Sequence, residues 1–216
     1  MTTPRRFVVT GCARSGTAYA AALFSALGLP CGHEAVFRPG GPGEWPDDRP
    51  GESSWLAAPH LGRLEPGAVV LHQVRDPLAV VRSHLSFNFF SEDVTEGLRS
   101  YVDYVGRFRP EVLETPDPQL RNLRYWERWN RLVEESAGSL AYRRYRVEDV
   151  DAALVAELLD LVGAGRSDDA VQEALAAVPR DTNTWGETGQ ALAWADLPPG
   201  DDLSRARALA VGYGYR

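Results

Sequence analysis

The stretch from Val8 to Leu23 constrains this chain more than any other. Val8-Val9-Thr10 is a short β-branched run and reads as a buried strand. Gly11-Cys12-Ala13-Arg14-Ser15-Gly16 then forms a loop with a glycine at each end, and Thr17 onward is an Ala- and Leu-rich helix that stops near Gly28. A strand, a glycine-bounded turn and a helix N-terminus make an anion site, because the N–H groups of the first helical turn have no partners within the helix. Gly11 and Gly16 permit a close backbone approach that a Cβ would block. The guest such a loop fits is a phosphate or sulfate group.

The spacing of Gly11 and Gly16 comes close to a Walker A loop, and the departure is informative. That motif places Lys directly after the second Gly and then Ser or Thr to hold magnesium. Here Thr17 takes the Lys position and Ala18 follows it. The chain contains no lysine, so all 23 basic residues are Arg, and the cation inside the loop is Arg14.

With 216 residues, 44% of them hydrophobic, the chain can bury one substantial core, so a single domain over 1–216 is expected. A net charge of −7 speaks against a nucleic-acid partner, which calls for a basic face. No apolar run suffices to span a membrane, and Met1 to Arg6 lead into only a short strand. Two cysteines, Cys12 and Cys31, make no disulfide framework. A cytoplasmic setting with reduced thiols is therefore expected.

Further along, Cys31-Gly32-His33-Glu34 stands at the C-terminal end of a second short strand. Ligands of open α/β sheets collect at such ends. His33 and Glu34 are thus both candidates for a general base, and strand alternation predicts that one of them enters the site. From about 38 to 67 the composition turns to Pro, Gly and acid, with Trp45 and Trp55 embedded. That segment is expected to be a long loop, either a lid over an acceptor or a surface loop whose Trp side chains plug the core.

Val69 to Val74 reads as the second strong strand. Arg75-Asp76-Pro77 ends it and opens a helix, with Asp76 as N-cap, Pro77 at the first helical position and Ser83 about two turns in. Arg75 offers a planar fork matched to phosphate, and Ser83 offers a hydroxyl donor. Leu120 to Val133 has the spacing of an amphipathic helix with core Trp residues, closed by Gly138. Ser139 to Arg146 reads as another strand, and Arg143, Arg144 and Arg146 as either its solvated end or part of the site's positive rim, with the former favoured. Helices over Asp151–Leu161, Asp168–Val178 and roughly Leu203–Val211 follow, the second capped by Ser167.

Gly11-x-x-Arg14-Ser15-Gly16-Thr17 resembles the 5′-phosphosulfate loop of the sulfotransferases that use 3′-phosphoadenosine 5′-phosphosulfate (PAPS). Arg75-Asp76-Pro77, with Val80 or Val81 and Ser83 behind it, resembles their second signature, whose Arg and Ser bind the 3′-phosphate. Cys31-Gly32-His33-Glu34 is similar to the Cys-Gly-Glu-Glu of tyrosylprotein-type members, which favours Glu34 over His33 as the base. Gly212-Tyr213-Gly214-Tyr215 resembles the ending of bacterial members. Two features depart from the family. Val147 stands where it commonly has a nucleotide-facing Tyr, and the polar segment Asp181–Gly189 lacks its late Arg/Lys-Gly-x-x-Gly-Asp-Trp form.

The resemblance implies an α/β fold of three layers, a short mainly parallel sheet flanked by helices, related to P-loop kinases. It implies sulfuryl transfer from PAPS, with 3′-phosphoadenosine 5′-phosphate (PAP) as product, and since the sequence shows no Asp- or His-rich metal constellation, no metal is expected. Arg14, Ser15, Gly16, Thr17 and Ala18 would hold the 5′-phosphosulfate, Arg75 and Ser83 the 3′-phosphate, and Glu34 or His33 the acceptor proton. The acceptor is expected to be a hydroxyl on a small molecule, glycan or peptide. A divergent ATP-dependent phosphotransferase and a nucleotide-binding module without turnover are the alternatives. No exposed heptad or repeat points to an oligomeric partner.

Overall fold

The structure is a computed structural model that describes residues 3–91, 94–180, 182 and 191–216. The chain forms two compact units, Met1–Val74 with Val133–Asn183, and Arg75–Leu132 with Thr184–Arg216.

The first unit opens with β1 (Phe7–Thr10), all four residues buried, and runs through the glycine loop into α1 (Thr17–Ala26). Next come β2 (Cys31–His33), a small antiparallel hairpin of β3 (Phe37–Arg38) and β4 (Gly41–Pro42), and β5 (Gly51–Ser53). A 3-10 helix over Trp55–Arg63 leads to β6 (Val69–Val74), again wholly buried. The chain then enters the second unit with α2 (Pro77–Leu85), α3 (Glu96–Phe108) and α4 (Pro118–Ala137). It returns to the first at Val133, within α4, continues there with β7 (Ala141–Arg146), α5 (Ala152–Leu161) and α6 (Asp168–Ala177), and ends in the second with α7 (Asp201–Gly212).

The main sheet is five-stranded and parallel throughout, in the order β2-β5-β1-β6-β7. Phe7 pairs with Gly51 on one side and Val69 on the other. The central strands β1 and β6 are near-continuous apolar runs because both of their faces are covered. Phe7, Val9, Val69 and Leu71 project to one face, where they pack with Leu23 and Phe24 of α1, Leu158 and Leu159 of α5 and Val171 of α6. Val8 and Val70, on the opposite face by alternation, are equally buried. The α/β three-layer class expected from sequence is the class observed. No described helix is long and apolar enough to cross a membrane.

Local chemistry sets the helix ends. Asp76 caps α2 by accepting from the Ala79 N–H at 2.8 Å, with Pro77 in the first turn. Asp151 caps α5 and Ser167 caps α6 in the same way. Gly28 (φ 74°) and Gly138 (φ 52°) follow α1 and α4 in the left-handed region.

The segment from about 38 to 67 is not the long loop expected. It carries the end of the hairpin, β5 and the 3-10 helix, and β5 lies inside the sheet between β2 and β1. Trp55 is 4% exposed, so it plugs the core. Half-buried Trp45 donates from Nε1 to the Arg49 carbonyl (2.7 Å), meets Phe37 edge-on and carries the Arg6 guanidinium over its ring. Both Trp side chains tie the segment down, against the lid expectation. Apart from Thr182, the polar segment Asp181–Gly189 lies outside the described residues.

Candidate functional site

The loop between β1 and α1 is held from beneath by a buried relay. The Tyr145 hydroxyl donates to Gln73 Oε1 (2.7 Å), and Gln73 Nε2 donates to the Ser15 carbonyl (2.6 Å). Gln73 is 1% exposed and Tyr145 6%, and burial pushes the Tyr145 phenol far above its ordinary range. Tying down the Ser15 carbonyl fixes the turn from which the first N–H groups of α1 emerge. The loop closes on itself through Ser15 N–H to the Cys12 carbonyl (3.2 Å), and Ala20 N–H to the Gly16 carbonyl (3.1 Å) starts the helix.

The two glycines have different reasons for being there. A Cβ on Gly11 would collide with the Gln73 carbonyl oxygen, so that position needs close approach. Gly16 has φ 93°, in the left-handed region, and a Cβ there would sit 2.9 Å from Gln73 Nε2 and 3.2 Å from Val147 Cγ2. Arg14 also lies in that region, at φ 70°, without a glycine's freedom. The Ser15 hydroxyl is fully buried and has no hydrogen-bond partner among the described residues. An unmatched donor inside a loop that presents helix N-terminal N–H groups fits an anionic guest.

Thr17, in the position a Walker lysine would hold, is the meeting point of the site. Its hydroxyl lies 3.2 Å from His33 Nε2, and its carbonyl accepts the Ser53 hydroxyl at 2.7 Å. His33 Nε2 in turn lies 3.9 Å from Glu34 Oε1. Strand alternation predicted that only one of these two neighbours would point inward, and the structure brings both together. The reason is the backbone of Glu34, which leaves β2 at φ 49° and breaks the period of two. Burial holds the His33 imidazole below its ordinary 6.5, so it is neutral at neutral pH. The His33 and Glu34 side chains remain 34% and 22% exposed, so both are open to solvent.

Arg14, Ser15, Gly16, Thr17, Ala18, His33 and Glu34 all belong to the first unit, and Arg75 and Ser83 to the second. Within the second unit, Trp126 Nε1 donates to the Arg75 carbonyl (3.0 Å), which anchors the backbone at the start of α2. Ser83 is 1% exposed in the second turn of that helix. Arg143, Arg144 and Arg146 on β7 are half-buried and pair with Glu157, Glu134 and Asp149. Cys12 and Cys31 form no disulfide. Burial, with Glu52 nearby, raises the Cys31 thiol far above its usual range, so Cys31 stays protonated.

Sequence reasoning missed Gln73, Tyr145, Ser53 and Glu52. Gln73 follows His72 as a second polar residue inside a strand that opens on Val-Val-Leu, a signal that could have been used. Glu52 and Ser53 sit in a Gly-Glu-Ser strand that has no β-propensity to announce it.

No protein family matches the chain by sequence, and no curated protein matches it. Among solved structures it resembles the sulfotransferase domain from the curacin biosynthetic pathway, with a TM-score of 0.60 at 12% identity. The likeness covers 100% of this chain and 99% of that one. At such identity it is a likeness of fold, and it matches the parallel α/β sheet described above.

Proposed function

We propose that this protein is a sulfotransferase that moves a sulfuryl group from PAPS to an acceptor hydroxyl. The observation that carries the proposal is the 3.2 Å approach of the His33 ring to Thr17 in the first turn after the anion loop. It joins a site for a phosphosulfate to a site for a proton, and sulfuryl transfer to a hydroxyl needs both. The likeness of fold to a sulfotransferase domain agrees with this reading. So does the lack of the lysine and following Ser or Thr that a Walker-type phosphotransferase requires.

In this reading the N–H groups of residues 14–18 bind the 5′-phosphosulfate. Arg14 faces the bridging oxygen, where charge develops as the S–O bond breaks, a contribution of about 3 kcal/mol in comparable sites. The acceptor oxygen forms the new bond to sulfur in line with the departing PAP. Its proton passes to the His33–Glu34 pair, where a neutral imidazole and a carboxylate are both available as acceptors. Arg75 and Ser83 take the 3′-phosphate and so select PAPS over ATP.

The test is the thermal shift of the purified protein with PAP, compared with ATP plus magnesium. A ligand that binds only the native state raises the melting temperature. Stabilisation by PAP that survives EDTA is expected. A shift with ATP and magnesium alone would replace this reading with a phosphotransferase, and no shift with either would leave the fold without this function.

A further inference from the structure

Glu52 takes no part in the chemistry above, yet it is a fully buried carboxylate one strand away from it. It lies on β5, with 0% exposure, and its Oε1 accepts two backbone N–H groups, Ala35 at 2.7 Å and Val36 at 2.9 Å. The Phe37 N–H also contributes to holding its charge. Those residues form the turn that directly follows Glu34. The next residue on β5 completes the clamp, because the Ser53 carbonyl accepts the Glu34 N–H at 3.2 Å.

Room for this carboxylate is built into the neighbouring strand. A Cβ on Gly32 would overlap Glu52 Oε2 and lie 3.0 Å from an Arg49 nitrogen, so only glycine leaves the space. Oε2 itself has no hydrogen-bond partner among the described residues. Burial raises the Glu52 carboxyl, against the lowering by its backbone donors and Arg49. A carboxylate that accepts consecutive N–H groups fixes the turn they belong to. This turn carries Glu34 at φ 49°, the conformation that sets its carboxylate beside the His33 ring.

We propose that Glu52 is a positioning residue that holds Glu34 against His33. The role rests on the reading of that pair as the proton acceptor, but the geometry it predicts is measurable without turnover. Glu52 acts by the reach of its oxygen, not by its charge. Glu52→Gln keeps the reach and loses the charge, while Glu52→Asp keeps the charge and withdraws the oxygen by one methylene.

The readout is the acid titration of the His33 imidazole by proton–carbon NMR, assigned by the signal lost in His33→Gln. The groups that face this ring are the Thr17 hydroxyl on α1 and the Glu34 carboxylate, with Glu52 and Arg49 against the adjacent Gly32. A carboxylate about 4 Å away across solvent raises an imidazole midpoint by about 0.7 on the pH scale. Glu34→Gln should therefore lower the His33 midpoint by about that amount. Glu52→Asp should lower it as far, and Glu52→Gln should leave it near wild type. Equal midpoints in wild type and folded Glu52→Asp overturn the proposal, as does a fall in Glu52→Gln as large as in Glu52→Asp.

Should Glu52→Asp not fold, Gly32→Ala displaces the same carboxylate and takes its place in the comparison. PAP affinity, measured by calorimetry on the same samples, should change less than about twofold in Glu52→Gln and Glu52→Asp, because the anion loop keeps its own supports. A parallel loss of PAP affinity in both would make Glu52 a general structural residue and overturn its positioning role. Wild type that binds no PAP would refute the sulfotransferase reading, while the His33 titration would still decide what Glu52 does.

Discussion

Removing one hydroxyl, in Tyr145→Phe, tests the support beneath the anion loop. The change leaves the ring in its buried place and deletes only the donor to Gln73 Oε1. That oxygen is then a buried acceptor with no replacement, since Gln73 is 1% exposed. Leaving such a group unmatched costs about 1–3 kcal/mol, and near 2 kcal/mol is expected here. For a chain of this length each kcal/mol moves the melting temperature by roughly 2–4 °C, so Tyr145→Phe should melt about 4–8 °C lower. Gln73→Leu should cost more, because it abandons both the Ser15 carbonyl and the Tyr145 hydroxyl. The double variant should then be scarcely worse than Gln73→Leu alone, since the hydroxyl has nothing left to bind, giving a coupling of roughly 1–2 kcal/mol in the cycle. Urea denaturation of the four proteins measures this directly. Strictly additive losses, or a Tyr145→Phe protein that melts within about 1 °C of wild type, would refute the relay as the support of the loop.

Arg75→Ala should weaken PAP binding by roughly tenfold or more, the worth of a charge-assisted contact, and calorimetry that finds unchanged affinity would remove Arg75 from the 3′-phosphate site. Because burial lowers the His33 midpoint below its value in the unfolded chain, the native state resists protonation there. Stability is then complete above about pH 6.5 and declines as the pH falls below it, and His33→Gln should flatten that part of a denaturation-versus-pH curve. Gly11→Ala should destabilise by roughly 1–3 kcal/mol, read from urea midpoints, because its Cβ meets a backbone carbonyl that cannot step aside. Arg14→Ala should abolish sulfuryl transfer while retaining PAP binding. Arg14→Gly should do the same and be more stable than Arg14→Ala by about 1 kcal/mol, since only Gly relaxes at φ 70°.

The parts of this fold that were legible in the sequence are those built from repetition. β1 and β6 each open on a run of three apolar residues, Phe7-Val8-Val9 and Val69-Val70-Leu71, and Asp76, Asp151 and Ser167 announce helix starts by hydrogen bonds their own side chains make. β5 was invisible for the opposite reason. Gly51 is small because a Cβ would strike the Phe7 ring, and Glu52 and Ser53 are polar because they hold the turn after Glu34 and the first residue of α1. Its residues answer to tertiary contacts, so no propensity or periodicity marks the strand. The same holds for the candidate site. Arg14, His33 and Glu34 could be found as residue types at strand ends, but the left-handed turn that sets the Glu34 and His33 side chains together is a backbone property, and Glu34 is not a residue that advertises one.

Among the described residues, three that are not glycine have φ in the left-handed region, Arg14, Glu34 and Asn88. Asn adopts it readily, whereas for Arg and Glu it costs roughly 1–2 kcal/mol each. Each of those two is overdetermined by its surroundings. The Gln73–Tyr145 relay and the Cys12–Ser15 turn clamp the loop of Arg14, and the Glu52 carboxylate with the Ser53 carbonyl clamps the turn of Glu34. A glycine at either position would remove the strain and with it the side chain that the proposed reaction would use. Strain accepted at one cationic and one acidic residue is what the proposed reaction, with a developing anion and a departing proton, would require of a preorganised site. On that proposal the clamps belong to the site as much as the two side chains do, because they hold both backbones in place before a substrate arrives.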